Sequence, residues 1–326
     1  MSAPGTFFCI YKGRDYPDDQ RSLEHIVPYS IGGTGDFGTR DVSVLGNREV
    51  GSIVDSLLVN HPFLTVDRWR LQIKSQAGII PGIEFPGTID IDGHTLRVEY
   101  TVNPDGSCDL RTLPTVKSDW SAGSFSINCD PRDLPRILAD LEKKGGKKGI
   151  PVNAQTIKIQ SSRQVRVENP TISHDLVVPL FDLMPGFVKM ALGTGHLVFG
   201  EAWSRGPEAD LMRAVINERD PEKRKQVPIH GQVWPYSGNL APLKQSFQVS
   251  EDVHVLAVIN NRPPVFYALL FGKYDGAVYF GQQVLKGTAL PPGKGVVFVI
   301  DCRTRQLGRY DYEEYITRQA MEKNWL

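Results

Sequence analysis

The chain has 326 residues, 40% hydrophobic and 23% charged, with 37 basic and 37 acidic side chains. That length exceeds the usual size of one core and points to two domains of ordinary globular composition. A net charge of zero excludes a chain-wide basic field, so a polyanionic partner would need basic residues gathered on one face.

In chain order, residues 7–11 read as a short strand and residues 12–22 as a polar turn region carrying Gly13 and Pro17. Residues 23–27 form a second short strand, stopped by Pro28. Gly32, Gly33, Gly35 and Gly38 make residues 30–40 a loop. From Asn47, the residues Val50, Ile53, Val54, Leu57 and Leu58 fall on one face at helical spacing. The expected order is strand, strand, loop, helix.

Next, residues 88–91 and 96–102 alternate around Asp92-Gly93, the pattern of a hairpin within a meander. Asp130-Pro131 has the form of a helix start, with Leu134, Ile137, Leu138 and Leu141 as its stripe and Gly145-Gly146 as its end. Helices are expected over 181–192 and 207–217, and strands over 253–259, 265–271 and 277–280. The fold class is α+β, with a small N-terminal ββα motif over 1–75 and a larger mixed domain with antiparallel sheet over 76–326. No stretch reaches the roughly 18 apolar residues of a membrane span. Cys9, Cys108, Cys129 and Cys302 contain no C-x-x-C pair, and no basic, then apolar, leader opens the chain. A reduced, cytoplasmic setting is the simplest expectation.

The chemistry concentrates in Glu24-His25-Ile26-Val27-Pro28, then Gly32-Gly33, then Gly46-Asn47. Glu24 and Asn47 offer the two oxygens with which a hard cation such as Mg²⁺ can be held, several waters completing its shell. His25 has the side chain whose ordinary pKa lies nearest neutrality, which suits a base that activates water. General-base catalysis is worth about 3–5 kcal/mol of a total barrier reduction of about 8–23 kcal/mol, so histidine alone is insufficient and a bound ion would supply charge stabilisation.

These residues, in this order, resemble the HNH endonucleases, the ββα-metal nucleases. The most similar branch has an acidic residue before the histidine and an asparagine in the last motif position, as in phage endonuclease VII and the HNH domains of RNA-guided nucleases. The resemblance implies His25 as general base, Glu24 and Asn47 as ligands of Mg²⁺ or Mn²⁺, and DNA as substrate, in roles such as restriction or phage defence. It covers about the first quarter of the chain. Asp41 (or Asp36) is a candidate brace for the loop, and Asp55 a candidate partner of Arg68 or Arg70.

Many relatives brace this motif with zinc held by two C-x-x-C pairs. Here the matching positions are Cys9, Lys12, Ser43 and Gly46, so no structural zinc is expected. Zinc contributes about 10–16 kcal/mol in finger peptides, and replacing it would take roughly 400–600 Å² of extra apolar burial. A large C-terminal domain packed on the motif would supply that. The competing expectation is a degenerate motif that serves as a non-enzymatic module binding nucleic acid or protein. Asn47 would then simply cap its helix. The oligomeric state is open, a homodimer being one option. Gly193-Thr194-Gly195-His196 lacks the full phosphate-loop pattern and is set aside.

Overall fold

The computed structural model describes residues 5–91, 93–122, 124–150, 171–173, 180–235, 237–247, 249–281 and 285–322. Helices and antiparallel sheets share the chain, an α+β fold. Two compact units divide it: Met1–Ile80 with Val178–Leu326, and the intervening Pro81–Val177. The sequence reading put a single boundary near residue 75, whereas the chain passes out of the first unit and returns. The reason is burial: Ile26, Val54 and Leu58 share one core with Phe187, Met190 and Phe298. An isolated segment of that length could not cover them.

The first unit opens with two hairpins. β1 (Thr6–Cys9) pairs with β2 (Arg14–Pro17), and β3 (Arg21–His25) pairs with β4 (Gly38–Ser43), both antiparallel. The glycine-rich stretch expected to be loop throughout thus becomes strand at Gly38. A Cβ there would run into the Glu24 carbonyl, so this glycine marks close backbone approach rather than a turn. α1 (Val44–Val50) follows, with the Ser43 hydroxyl accepting from the Gly46 N–H at 3.1 Å. Ser43 is therefore the N-cap, and Asn47 lies one turn inside the helix rather than at its head. The chain widens into a π-helical stretch over Gly51–Asp55 and continues as α2 (Ser56–Val59) and α3 (Pro62–Arg70).

In the second unit β5 (Ile83–Ile91), β6 (His94–Val102) and β7 (Cys108–Thr112) form an antiparallel sheet, as the alternation predicted. Asp92 of the expected turn lies outside the described residues. β8 (Thr115–Asp119) and β9 (Ser124–Asn128) make a separate hairpin. α4 (Leu134–Lys147) buries Ile137 and Leu141 and runs through Gly145-Gly146 instead of ending there.

The chain re-enters the first unit as α5 (Leu183–Phe199), α6 (Glu201–Ser204), α7 (Pro207–Asn217) and α8 (Pro221–Lys225). β10 (Gly231–Val233) and α9 (Ala241–Ser246) lead to β11 (Val253–Ile259), β12 (Val265–Leu270), β13 (Tyr274–Tyr279), β14 (Gly295–Asp301) and β15 (Leu307–Asp311), then α10 (Tyr312–Glu322). The sheet is six-stranded and antiparallel, in the order β10-β13-β12-β11-β14-β15. One face, with Leu256, Val258, Phe266 and Phe298, packs in the core that contains α5 and the N-terminal hairpins. The other, with Val255, Ala257, Tyr267 and Val297, is covered by Phe247 and Tyr315. Burial on both faces explains why these strands read as continuous apolar runs.

α5 is buried on nearly every side, as expected of a helix apolar all round. A Cβ on Gly193 would fall 2.8 Å from the Ile26 side chain, so the Gly-Thr-Gly-His stretch serves close packing of α5 against the end of β3.

Candidate functional site

Cys9, Lys12, Ser43 and Gly46 converge. A Cβ built on Gly46 would lie 3.2 Å from Cys9 Sγ, 3.1 Å from Ser43 Oγ and 3.5 Å from the Lys12 side chain. The Cys9 thiol lies 3.4 Å from the Ser43 hydroxyl and accepts the Ser43 N–H at 3.2 Å. Lys12 turns away to pair with Glu49 and donates to Asn217 Oδ1 at 2.7 Å. α7 closes the turn: Asn217 Nδ2 donates to the Tyr11 carbonyl at 2.8 Å and Arg213 Nη1 to the Ile10 carbonyl at 3.1 Å. Side chains from the far end of the first unit hold this turn.

Glu24 and His25 end β3, and their side chains meet different surroundings, as strand alternation requires. The Glu24 carboxylate is 3% exposed, accepts from the Tyr11 hydroxyl at 3.0 Å and lies 2.5 Å from Lys189 Nζ. The same ammonium donates to Asp55 Oδ1 at 2.7 Å and to the His25 carbonyl at 3.2 Å. Burial opposes the charge of Lys189, but Asp55 and Glu24 outweigh it and raise its pKa above the ordinary lysine value. Burial raises Asp55 to about 6 against the pull of Lys189, and the neighbouring Glu24 charge adds to the rise. Tyr11 is pushed well above the usual phenol value by burial first and then by Glu24 and Asp55.

The half-buried imidazole of His25 packs edge-on against Tyr29, ring centres 5.4 Å apart. Burial lowers its pKa, and the charges of Lys189 and Arg305 lower it further, with Asp55 opposing. His25 is therefore a neutral base at neutral pH, in a field that favours an anion.

Asn47 joins neither group. Its Nδ2 donates to Ser22 Oγ at 2.8 Å and to the Leu23 carbonyl at 3.0 Å, so it fastens α1 to β3. Glu24 and Asn47 do not fit a divalent ion as placed, because the carboxylate is already neutralised by an ammonium and the amide braces the strand. Among the described residues, no group of three or more His, Cys, Asp and Glu is set to hold a metal. Asp55 pairs with Lys189 rather than with an arginine: Arg70 pairs with Asp67 at 3.0 Å, and Arg68 donates to the Val59 carbonyl at 3.3 Å. Asp41 does not brace the loop; it pairs with Arg21 and its carboxylate accepts from His196 Nε2 at 2.9 Å.

Asp41, His196 and Ser204 form a carboxylate–imidazole–hydroxyl line, with His196 Nδ1 2.9 Å from Ser204 Oγ. This is not a nucleophile site. Ser204 is fully buried and its hydroxyl also lies 3.3 Å from the Gly200 carbonyl, so no substrate carbonyl can reach it. The line ties β4 to α5 and α6.

The loop between β3 and β4 is anchored from the sheet. Arg305 Nη1 donates to the carbonyls of Tyr29 (2.9 Å) and Gly33 (2.6 Å), and its guanidinium lies 3.5 Å from the Tyr29 ring centre. A Cβ on Gly33 would fall inside the Val27 carbonyl. Gly33→Ala is expected to destabilise the protein by at least about 3 kcal/mol, by overpacking against backbone that cannot yield; thermal melting checks it.

His254, fully buried on β11, accepts the Phe271 N–H at Nδ1 (3.0 Å) and donates from Nε2 to the Ile31 carbonyl (2.7 Å). Burial lowers its pKa to about 4. A histidine depressed in the fold stabilises above its unfolded pKa, and that contribution is lost as pH falls through the folded value. Relative to His254→Gln, the wild type should lose roughly 3 kcal/mol between pH 6.5 and 4. Denaturant unfolding of both proteins at the two pH values measures this. The variant is the proper reference because Asp55, raised in the fold, titrates in the opposite sense over an overlapping range.

No helix among the described residues is long and apolar enough to cross a membrane. Comparison of the chain with protein-family models, characterised proteins and solved structures found no match.

Proposed function

We propose that the first unit cleaves nucleic-acid phosphodiester bonds at the face carrying His25. The observation that carries this reading is the meeting of Cys9, Lys12, Ser43 and Gly46, two pairs far apart in sequence, at the base of a hairpin-and-helix arrangement that carries His25. It is the geometry expected if the HNH alignment of this segment is right.

In this reading the neutral imidazole takes a proton from the attacking water as its oxygen bonds to phosphorus. The bond to the leaving oxygen then breaks, and that oxygen is protonated from solvent. Lys189 and Arg305 favour the phosphate's charge near His25. General-base catalysis supplies only about 3–5 kcal/mol, so turnover from these residues alone is slow. The test is cleavage of supercoiled plasmid and of single- and double-stranded oligonucleotides by wild type and His25→Ala, each with EDTA, Mg²⁺ or Mn²⁺.

A second reading has its own support: the occupation of Glu24 by Lys189 and Tyr11 favours a module that binds nucleic acid without cutting it. Retarded migration of these substrates with no cleavage in any arm selects that reading and overturns the first.

A further inference from the structure

We infer that Lys189 is the built-in cation of this site, its ammonium standing among Glu24, Asp55 and the His25 carbonyl where a divalent ion would otherwise be held. The three N–H donors of a lysine meet three oxygens here: Glu24 Oε1 at 2.5 Å, Asp55 Oδ1 at 2.7 Å and the His25 carbonyl at 3.2 Å. Two carboxylates and one backbone carbonyl form the all-oxygen donor set that hard divalent cations prefer. The Lys189 side chain is fully buried, and it reaches these oxygens from α5, buried through most of its length. The Asp55 side chain is 22% exposed, against 4% for Glu24.

The charge arithmetic points the same way. One ammonium faces two carboxylates, so the cage holds less positive charge than a divalent ion would bring. Removing the lysine leaves two acids and a carbonyl around a vacated volume, a set suited to one such ion. The lysine is thus a specificity device, which occupies the cage with one positive charge and closes it to metal. This deepens the reading of the His25 site as one built around a cation, yet its readout is metal binding rather than cleavage. A wild type that cuts nothing would defeat that reading and leave this test standing.

The test counts bound Mn²⁺ by the loss of its free EPR signal, using the full chain as wild type, Glu24→Gln, Lys189→Ala, Lys189→Met and Lys189→Ala with Glu24→Gln. Expected is no Mn²⁺ on the wild type that Glu24→Gln removes, and one Mn²⁺ on Lys189→Ala that is lost again in the double variant. Should Lys189→Ala not fold alone, Lys189→Met keeps the volume of the stem, and Mn²⁺ should raise its melting temperature but not that of the wild type. One Mn²⁺ on the wild type abolished by Glu24→Gln would overturn the inference. So would lysine variants that neither bind Mn²⁺ beyond the wild type nor melt higher in its presence.

Discussion

Lys189→Ala is expected to lower the stability of the protein by about 3–5 kcal/mol, because it leaves buried acidic groups without their counter-charge. Glu24 would keep only the Tyr11 hydroxyl, and Asp55 would lose the ammonium that holds its pKa down. For a folding unit of this size the melting temperature should fall by roughly 6–20 °C. Removing Glu24 as well leaves only Asp55 without its counter-charge, so Glu24→Gln combined with Lys189→Met should recover part of the loss. Thermal melting of the three proteins in EDTA settles the point. A single variant within about 2 °C of wild type would mean that water or rearrangement already screens Glu24.

The second large effect concerns His25. If cleavage is general-base catalysed, His25→Ala should slow it by about 10²–10⁴. The pH profile carries more information than the size of the loss. A base acts in its deprotonated form, and burial together with Lys189 and Arg305 lowers the pKa of His25. The rate should therefore stay level from neutral pH to below 6.5, the ordinary histidine value, and fall only beyond it. Arg305→Gln removes one of those charges and should shift the acid limb toward higher pH. A limb unmoved by Arg305→Gln, or cleavage that survives in His25→Ala, would remove the imidazole from the reaction.

Much of the framework is legible in the residues themselves. The helix over Pro207–Asn217 and the strand over Val253–Ile259 coincide with their sequence patterns, because period and punctuation are local properties. The β5–β6 hairpin was readable for the same reason. β4 was not: residues 30–40 read as a loop for their glycines, and only the approach of the Glu24 backbone shows why Gly38 stands in a strand. Beyond residue 280 the sequence reading assigns no element, and β14, β15 and α10 lie there.

The site divides along the same line. Glu24, His25, Gly32-Gly33 and Asn47 stand out by order and spacing, which is why a resemblance to HNH nucleases could be stated from about a quarter of the chain. Lys189 did carry a signal, as the one Lys, Arg, Asp or Glu within the apolar Leu183–Phe199 helix, since a charge buried there must find an opposite partner. The signal names no partner, however, and Arg68 and Arg70 lay nearer Asp55 in the chain.

By itself, then, the sequence determined several of the helices and strands, and that an acid, a histidine and an amide lie near the amino end. Only the tertiary structure decided what those groups do. Asn47 holds a strand, Asp41 ties β4 to His196, and Glu24 meets a lysine from a helix far along the chain. The physical reason is range. Hydrogen-bond period and side-chain alternation act over a few residues, whereas the neutralisation of a buried charge is set by whichever opposite charge the packed core brings within about 3 Å.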